Sequence, residues 1–215
     1  MEAISSLAPG RPAQEIHWGV DLKRFHPAPW GRKPDTQLVS LRAWEANYRI
    51  DTIIDAFAQL RSRLPDQDVR LHLLGGGSLE HALRRQIDSS GQQAAIHPHG
   101  RLDDAGMARI LGDCKVSISV PGSDATSVAL LESMACGLAV VASDLPANRQ
   151  WLDPQWLVPA GDAAALADKL QTLVINDAMA QQAGEHNAAR IAQDGDRAVQ
   201  MDRMHMLYQQ IARGQ

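Results

Sequence analysis

The sequence predicts an α/β domain, a parallel sheet covered by helices on both faces. Three observations carry this expectation. Short strand-like runs alternate with segments of helical apolar spacing between Thr36 and Ile175. Gly137 follows the apolar run Thr126–Cys136, where a helix would end on a left-handed residue. Ser119–Asp144, SVPGSDATSVALLESMACGLAVVASD, reads as strand, loop, helix and strand without interruption.

In order, Thr36–Leu41 is strand-like and Asp51–Leu64 has helical spacing through Ile53, Ile54 and Phe57. Val69–Leu74 is a strand, Leu79–Ser89 a helix, Ala94–His97 a short strand and Asp103–Gly112 a helix. The strand Lys115–Val120, the helix from Thr126 and the strand Leu138–Ala142 form the central unit. Beyond Trp151–Pro159 the pattern is helical over Asp162–Ile175, Asp177–Ile191 and Arg197–Ala212, with Asp162 placed as an N-cap after Gly161. Met204, Leu207, Tyr208 and Ile211 fall on one stripe of the last helix, with Val199 before them. That stripe belongs either to the core or to a surface for self-association or a partner chain.

In the central unit the helix starts at the carboxyl end of a strand, where free N–H groups and the positive dipole end suit a diphosphate. Glu132 lies six residues down the predicted helix, about 9 Å along it, within reach of hydroxyls beside that diphosphate. Asp124, in the preceding loop, can hold hydroxyls on the other side or cap the helix. Glu132 read blandly is a solvated helix carboxylate. A diphosphate flanked by two hydroxyl-binding carboxylates describes a nucleotide-sugar.

Asp124-x7-Glu132 with Leu130–Ser143, LLESMACGLAVVAS, resembles the donor-binding signature of the retaining GT-B glycosyltransferases of group 1. The resemblance covers about Glu15–Leu173 and implies the C-terminal, Rossmann-like donor half of a two-domain enzyme. His17–Phe25, HWGVDLKRF, is similar to the family segment that leads from the interdomain cleft, which implies a place for Gly19 beside the donor. The implied organisation is residues 1–34 as lead-in from an absent acceptor domain, 35–175 as donor-binding domain, and 176–215 as helices that pack on the missing domain.

The resemblance places Asp124, Glu132 and Arg42 in the catalytic machinery. It weakens where the family carries a basic diphosphate clamp, because Tyr48 stands at the lysine position of that motif. Arg42, at the end of a strand, is the first candidate for the clamp and Arg49 the second, since a guanidinium forks onto phosphate oxygens. A surface ion pair is the other reading of each. Gly75-Gly76-Gly77 permits a tight turn and a close approach of backbone to ligand, and the resemblance sets Gly75 and Gly77 beside the nucleotide. A plain strand-to-helix turn is equally open, and Glu80 at the third-glycine position disfavours a dinucleotide fingerprint. Gly100, Arg101 and Leu102 fall where the family lays a loop against the base. Backbone N–H groups of Thr126, Ser127 and Val128 are expected to contact phosphate or sugar.

With 215 residues, one domain with a full core is expected. Net charge of −4 and scattered basic pairs argue against nucleic acid. Two cysteines, Cys114 and Cys136, suit a reducing compartment and lack metal spacing. His97 and His99 stand without a carboxylate or cysteine cluster, so no metal is expected, and the resemblance implies no cofactor beyond the nucleotide-sugar substrate. Met1–Gly10 has no basic n-region and sustained apolar core, and no apolar run is long enough to span a bilayer, so a cytoplasmic location is expected, at the inner face of a membrane for a full-length enzyme. The function these readings imply is binding of a nucleotide-diphosphate sugar for transfer to an acceptor held by the absent domain, with no transfer by this half alone. A non-catalytic nucleotide-sugar-binding subunit and a GT-B-like epimerase are the alternatives.

Overall fold

A computed structural model describes residues 15–33 and 36–213. Six parallel strands form one sheet: β1 (Gln37–Ser40), β2 (Arg70–Leu74), β3 (Ile96–Gly100), β4 (Val116–Ser119), β5 (Ala139–Ser143) and β6 (Leu157–Val158). Their order is β3-β2-β1-β4-β5-β6. The order reverses between β1 and β4, so loops leaving these neighbours diverge and open a crevice at their carboxyl ends.

Helices α1 (Ile50–Arg63), α2 (Glu80–Ser89), α3 (Asp104–Asp113), α4 (Val128–Ala135), α5 (Pro146–Arg149), α6 (Ala163–Ile175), α7 (Asp177–Asp194) and α8 (Arg197–Ala212) follow in chain order. The apolar spacing of α1 buries Ile53, Ile54, Phe57 and Leu60 with Leu166, Leu170 and Leu173 of α6 on one face of the sheet. Leu111 of α3, Leu130, Leu131 and Met134 of α4 and Ile191 of α7 fill the other face. β4 and β5 are buried at every position, as expected of central parallel strands.

The sequence boundaries shift at several elements. β3 runs through Gly100, so His97, Pro98 and His99 lie on a strand. An edge strand tolerates Pro98, whose missing N–H leaves no central ladder bond unmade. α4 starts at Val128, two residues later than predicted, because Ser127 caps it by accepting from the Leu130 N–H at 3.2 Å. α5 and β6 carry too few residues, four and two, for a periodic signal in the sequence.

The cap position read from sequence at Asp162 is filled as such, while α7 takes its cap from Asn176 and α8 from Asp196. α7 packs on α4 and β5 and shares their core. On α8 the apolar residues divide. Met204 and Leu207 are half-buried, whereas Val199, Met206, Tyr208 and Ile211 are exposed.

His72 of β2 and His97 and His99 of β3 stack on one face of the sheet edge, with ring centroids 5.3 and 5.1 Å from His72. His72 Nδ1 lies 2.8 Å from His99 Nε2, and its Nε2 lies 2.7 Å from Gln37 Oε1. Burial first, then the neighbouring histidines, push the His72 pKa down to about 4. The fold therefore favours neutral His72, and its contribution is fully present above the ordinary value near 6.5 and lost as pH falls towards 4. With partial exposure discounted, His72 contributes about 1–2 kcal/mol to this acid sensitivity. Urea unfolding at pH 7.5 and pH 5 should show a larger midpoint loss in wild type than in His72→Gln. Equal losses would remove the stacked column from the acid response.

Candidate functional site

Arg42 leaves β1 at its carboxyl end and turns into the crevice beside the start of α4. Its Nη2 donates to Asp124 Oδ2 at 2.6 Å, and its Nη1 donates to Ser127 Oγ. The Tyr48 ring lies over the guanidinium, 4.3 Å from centroid to Cζ. Arg42 is 7% exposed, and its Nε is buried without a hydrogen-bond partner. A buried guanidinium with one donor unsatisfied is costly, so this one is held in place by the ion pair and the ring.

Ser127 thus performs two tasks, capping α4 and accepting from Arg42. Asp124 is not the cap. One of its oxygens pairs with Arg42 and the other accepts from the Ala125 N–H at 2.9 Å. Thr126, Ser127 and Val128 stand at the helix entry, where the first N–H groups precede any intrahelical bond.

Asn47 fastens the loop after β1 to the loop after β4. Its Nδ2 donates to Ser123 O at 2.8 Å, its Oδ1 accepts from the Ser123 N–H at 3.0 Å, and its backbone oxygen accepts from the Gly122 N–H at 2.7 Å. Nothing in the local sequence signals this role, because its partners lie 76 residues away for Ser123. Glu45 was also missed. It accepts from the Ser78 N–H at 2.8 Å and from the Ser78 hydroxyl, which hold its carboxyl below the usual range.

The glycine turn serves these loops. A Cβ on Gly75, at φ +139°, would stand 2.5 Å from Arg42 O, and one on Gly77 would stand 2.5 Å from Trp44 O. The glycines at 75 and 77 thus closely approach the backbone of Arg42 and Trp44. Gly100 O accepts from the Gly75 N–H at 2.8 Å, and Arg101 lies along Gly76. Leu102 is exposed.

Glu132 sits five residues into α4, about 6 Å along the helix and nearer its start than expected. It is half-buried, and desolvation pushes its pKa up to about 7 against the opposing charge of Arg197. That arginine opens α8 where Gly19 and Val20 cross it. Val20 N–H donates to Gly195 O at 2.7 Å, and Arg197 N–H donates to Val20 O at 3.0 Å. A Cβ on Gly19 would stand 2.6 Å from Arg197 Cα, so Gly19 is required by this crossing.

The structure thus brings Arg42, Tyr48, Asp124 and Ser127 into direct contact and sets Arg49 beside Gly122 of the same loop. Glu132 lies further down α4, towards α8. A hollow of about 510 Å³ opens elsewhere, lined by His17, Arg149, Trp151, Arg190 and Arg203 among others. Among the described residues no three His, Cys, Asp or Glu side chains converge to hold a metal ion, and no helix is long and apolar enough to cross a membrane. Cys114 and Cys136 are buried free thiols, the latter with its pKa pushed up to about 12 by burial, which makes it inert.

A doubly wound parallel sheet with an arginine–carboxylate pair at a helix start beside the strand switch point defines a Rossmann-like domain of GT-B type. Residues 36–176 match the family model described as glycosyl transferases group 1. The chain belongs to that family. It is 35% identical over 187 residues to a phosphatidyl-myo-inositol mannosyltransferase of Mycobacterium leprae, covering 83% of this chain and 47% of the relative. It is 32% identical over 192 residues to the putative colanic acid biosynthesis glycosyltransferase WcaL of Escherichia coli, covering 79% and 46%. The chain spans about half the length of these curated relatives.

Sucrose-phosphate synthase of Thermosynechococcus elongatus has the same fold over the whole chain and 57% of its own, with TM-score 0.85 and 22% identity. Anabaena HepE, solved in complex with UDP-glucose, matches 97% of this chain and 61% of its own at TM-score 0.81 and 19% identity. A solved C-terminal domain of a group 1 family protein from Francisella tularensis is covered almost completely, 99%, by 83% of this chain at TM-score 0.74 and 17% identity.

Proposed function

We propose that this chain is the donor-binding half of a retaining glycosyltransferase. It holds a nucleotide-diphosphate sugar in the crevice after β1 and β4 and requires an acceptor-binding domain for transfer. The observation that carries the reading is the Arg42–Asp124–Ser127 cluster at the start of α4. The complexes of HepE with UDP and UDP-glucose and the mannosyltransferase relatives support it.

In this reading the donor diphosphate replaces Asp124 as the anion of Arg42, and the first N–H groups of α4 share its charge. Asp124 is released to the hydroxyls of the transferred sugar. Departure of the nucleoside diphosphate builds negative charge on its oxygens, and Arg42 stabilises that charge without moving. The diphosphate itself assists removal of the acceptor proton, so no nucleophile is needed from this half. Glu132 accepts from the ribose hydroxyls.

Calorimetric titration with UDP, GDP, ADP and their common sugar conjugates tests this. One nucleotide series should bind, and Glu132→Gln should weaken it about 10-fold or more, since hydrogen bonds to a charged acceptor contribute about 1.5–3 kcal/mol. The carboxyl titrates near 7 when free, so wild-type affinity should rise between pH 6 and pH 8 relative to Glu132→Gln. Absence of binding across the panel would refute the donor reading. A parallel pH response in both proteins would take Glu132 out of the site.

A further inference from the structure

The hollow beside His17 and Trp151 lies at the same end of the sheet as the donor crevice and shares no lining residue with the Arg42 cluster. Its volume of about 510 Å³ falls within the roughly 300–1,000 Å³ of small-molecule sites. α5 and Gln150, which follow the carboxyl end of β5, form one wall. α7 and α8 supply the second, and the segment around His17 closes the third.

These walls are locked to one another. Buried Asn148 fixes α5 by donating from Nδ2 to Ser143 O at 2.8 Å. Gln200, 1% exposed, accepts from the His17 N–H at 3.2 Å and donates from Nε2 to Asp194 O at 2.8 Å, so it joins the entering segment to the end of α7. Arg190 Nη2 donates to Gln150 O at 2.9 Å and ties α7 to the end of α5. The His17 ring stands edge-on to Trp151, with centroids 5.0 Å apart and 67° between planes.

The charges around the hollow are matched, yet hydrogen-bonding capacity is left over. Arg149 grips Asp144 through Nε at 2.6 Å and Nη2 at 2.9 Å, and Arg190 Nε lies 3.1 Å from Asp194 Oδ2. Each guanidinium is thereby oriented, with Nη1 unused among the described residues. Arg203 and Glu15 are exposed, opposite in sign, and without an ion pair among the described residues. Exposed pairs of this kind add little stability, so folding alone does not require them to gather around one hollow. A charge-balanced wall gives neither an anion nor a cation a net attraction. It offers N–H forks and carboxylate oxygens side by side, and a ligand that donates and accepts from the same atoms satisfies both. Vicinal hydroxyls do this.

We propose that this hollow is a second carbohydrate site, for a neutral, hydroxyl-rich sugar chain held apart from the nucleotide-sugar donor. Arg190 and Arg203 donate to its hydroxyls, and Asp194 accepts from them. Because β5 adjoins β4, a sugar bound there lies on the flank of the donor crevice, where an acceptor or a product chain would run. The site stands on its own residues and does not require the donor reading.

The test follows glucose, mannose, galactose, N-acetylglucosamine and maltotriose by saturation-transfer NMR, each up to about 20 mM, since an open sugar site falls near the millimolar end of the affinity scale. At least one should bind wild type. Arg203→Ala should weaken that binding about 10-fold while leaving the melting midpoint and nucleoside diphosphate affinity unchanged. Saturating UDP, GDP or ADP should leave the sugar bound, and inorganic phosphate should show no dependence on Arg203. Absence of sugar binding overturns the inference, as does sugar binding that is indifferent to Arg203→Ala or displaced by a nucleoside diphosphate. Phosphate binding that is lost with Arg203 makes the hollow an anion site and overturns it too. Nucleoside diphosphate binding to the same samples tests the donor reading separately.

Discussion

Arg42→Met should lower nucleoside diphosphate affinity by about 100-fold or more and destabilise the fold by about 3 kcal/mol. Two separate physical effects produce these losses. The guanidinium is 8% exposed and its Asp124 partner 18%, so removing one charge leaves the other partly buried and unpaired. Ser127 Oγ keeps only its bond from the Leu130 N–H, and Tyr48 loses the cation it covers. The double variant Arg42→Met/Asp124→Asn should recover most of the stability, because the orphaned carboxylate is gone, yet none of the affinity. Urea unfolding and calorimetry separate the two effects. Recovery of binding in the double variant would show that Arg42 serves only to neutralise Asp124.

Gly184→Ala should be the most damaging glycine-to-alanine change among the described residues. A Cβ there would lie 2.1 Å from Gly137 O and 2.9 Å from its carbonyl carbon, and both atoms are backbone. α7 would have to withdraw from the turn between α4 and β5, breaking the bond from Asn187 Nδ2 to Leu138 O, now 2.8 Å long. Overpacking against a fixed backbone together with loss of a buried hydrogen bond should cost about 3 kcal/mol or more, lowering the melting midpoint by about 6–12 °C. Gly31→Ala, where a Cβ would meet nothing within 4 Å, serves as the neutral control. A Gly184→Ala midpoint equal to that control would show that α7 is not fixed by this contact.

Features that repeat within a few residues were legible in the sequence, and those made by distant partners were not. The alternation of strands and helices follows from periods of two and 3.6 residues, and it located five of the six strands and every long helix. β6 has two residues and α5 four, too short for any period to show. The two readings of Asp124 were separable only in three dimensions, because a cap and an ion-pair partner use the same residue type. Ser127 takes the cap, and Asp124 is left to Arg42. Asn47 and the approaches at Gly75 and Gly77 depend on loops brought together by the sheet, so no local spacing announces them. Arg49 carries two readings in the sequence, clamp or surface ion pair, and its left-handed backbone has no local signal there.

The crossing of Val20 over Gly195–Arg197 has a mechanical consequence. The two hydrogen bonds that make the parallel bridge between Val20 and Asp196 pin the segment around Val20 to the start of the last helix. Both connections therefore pass through one point on the rim, much as the two leaves of a door share one pin. A body attached there could swing against the sheet by bending a few residues about Gly19 and Gly195, with the packed layers left undisturbed.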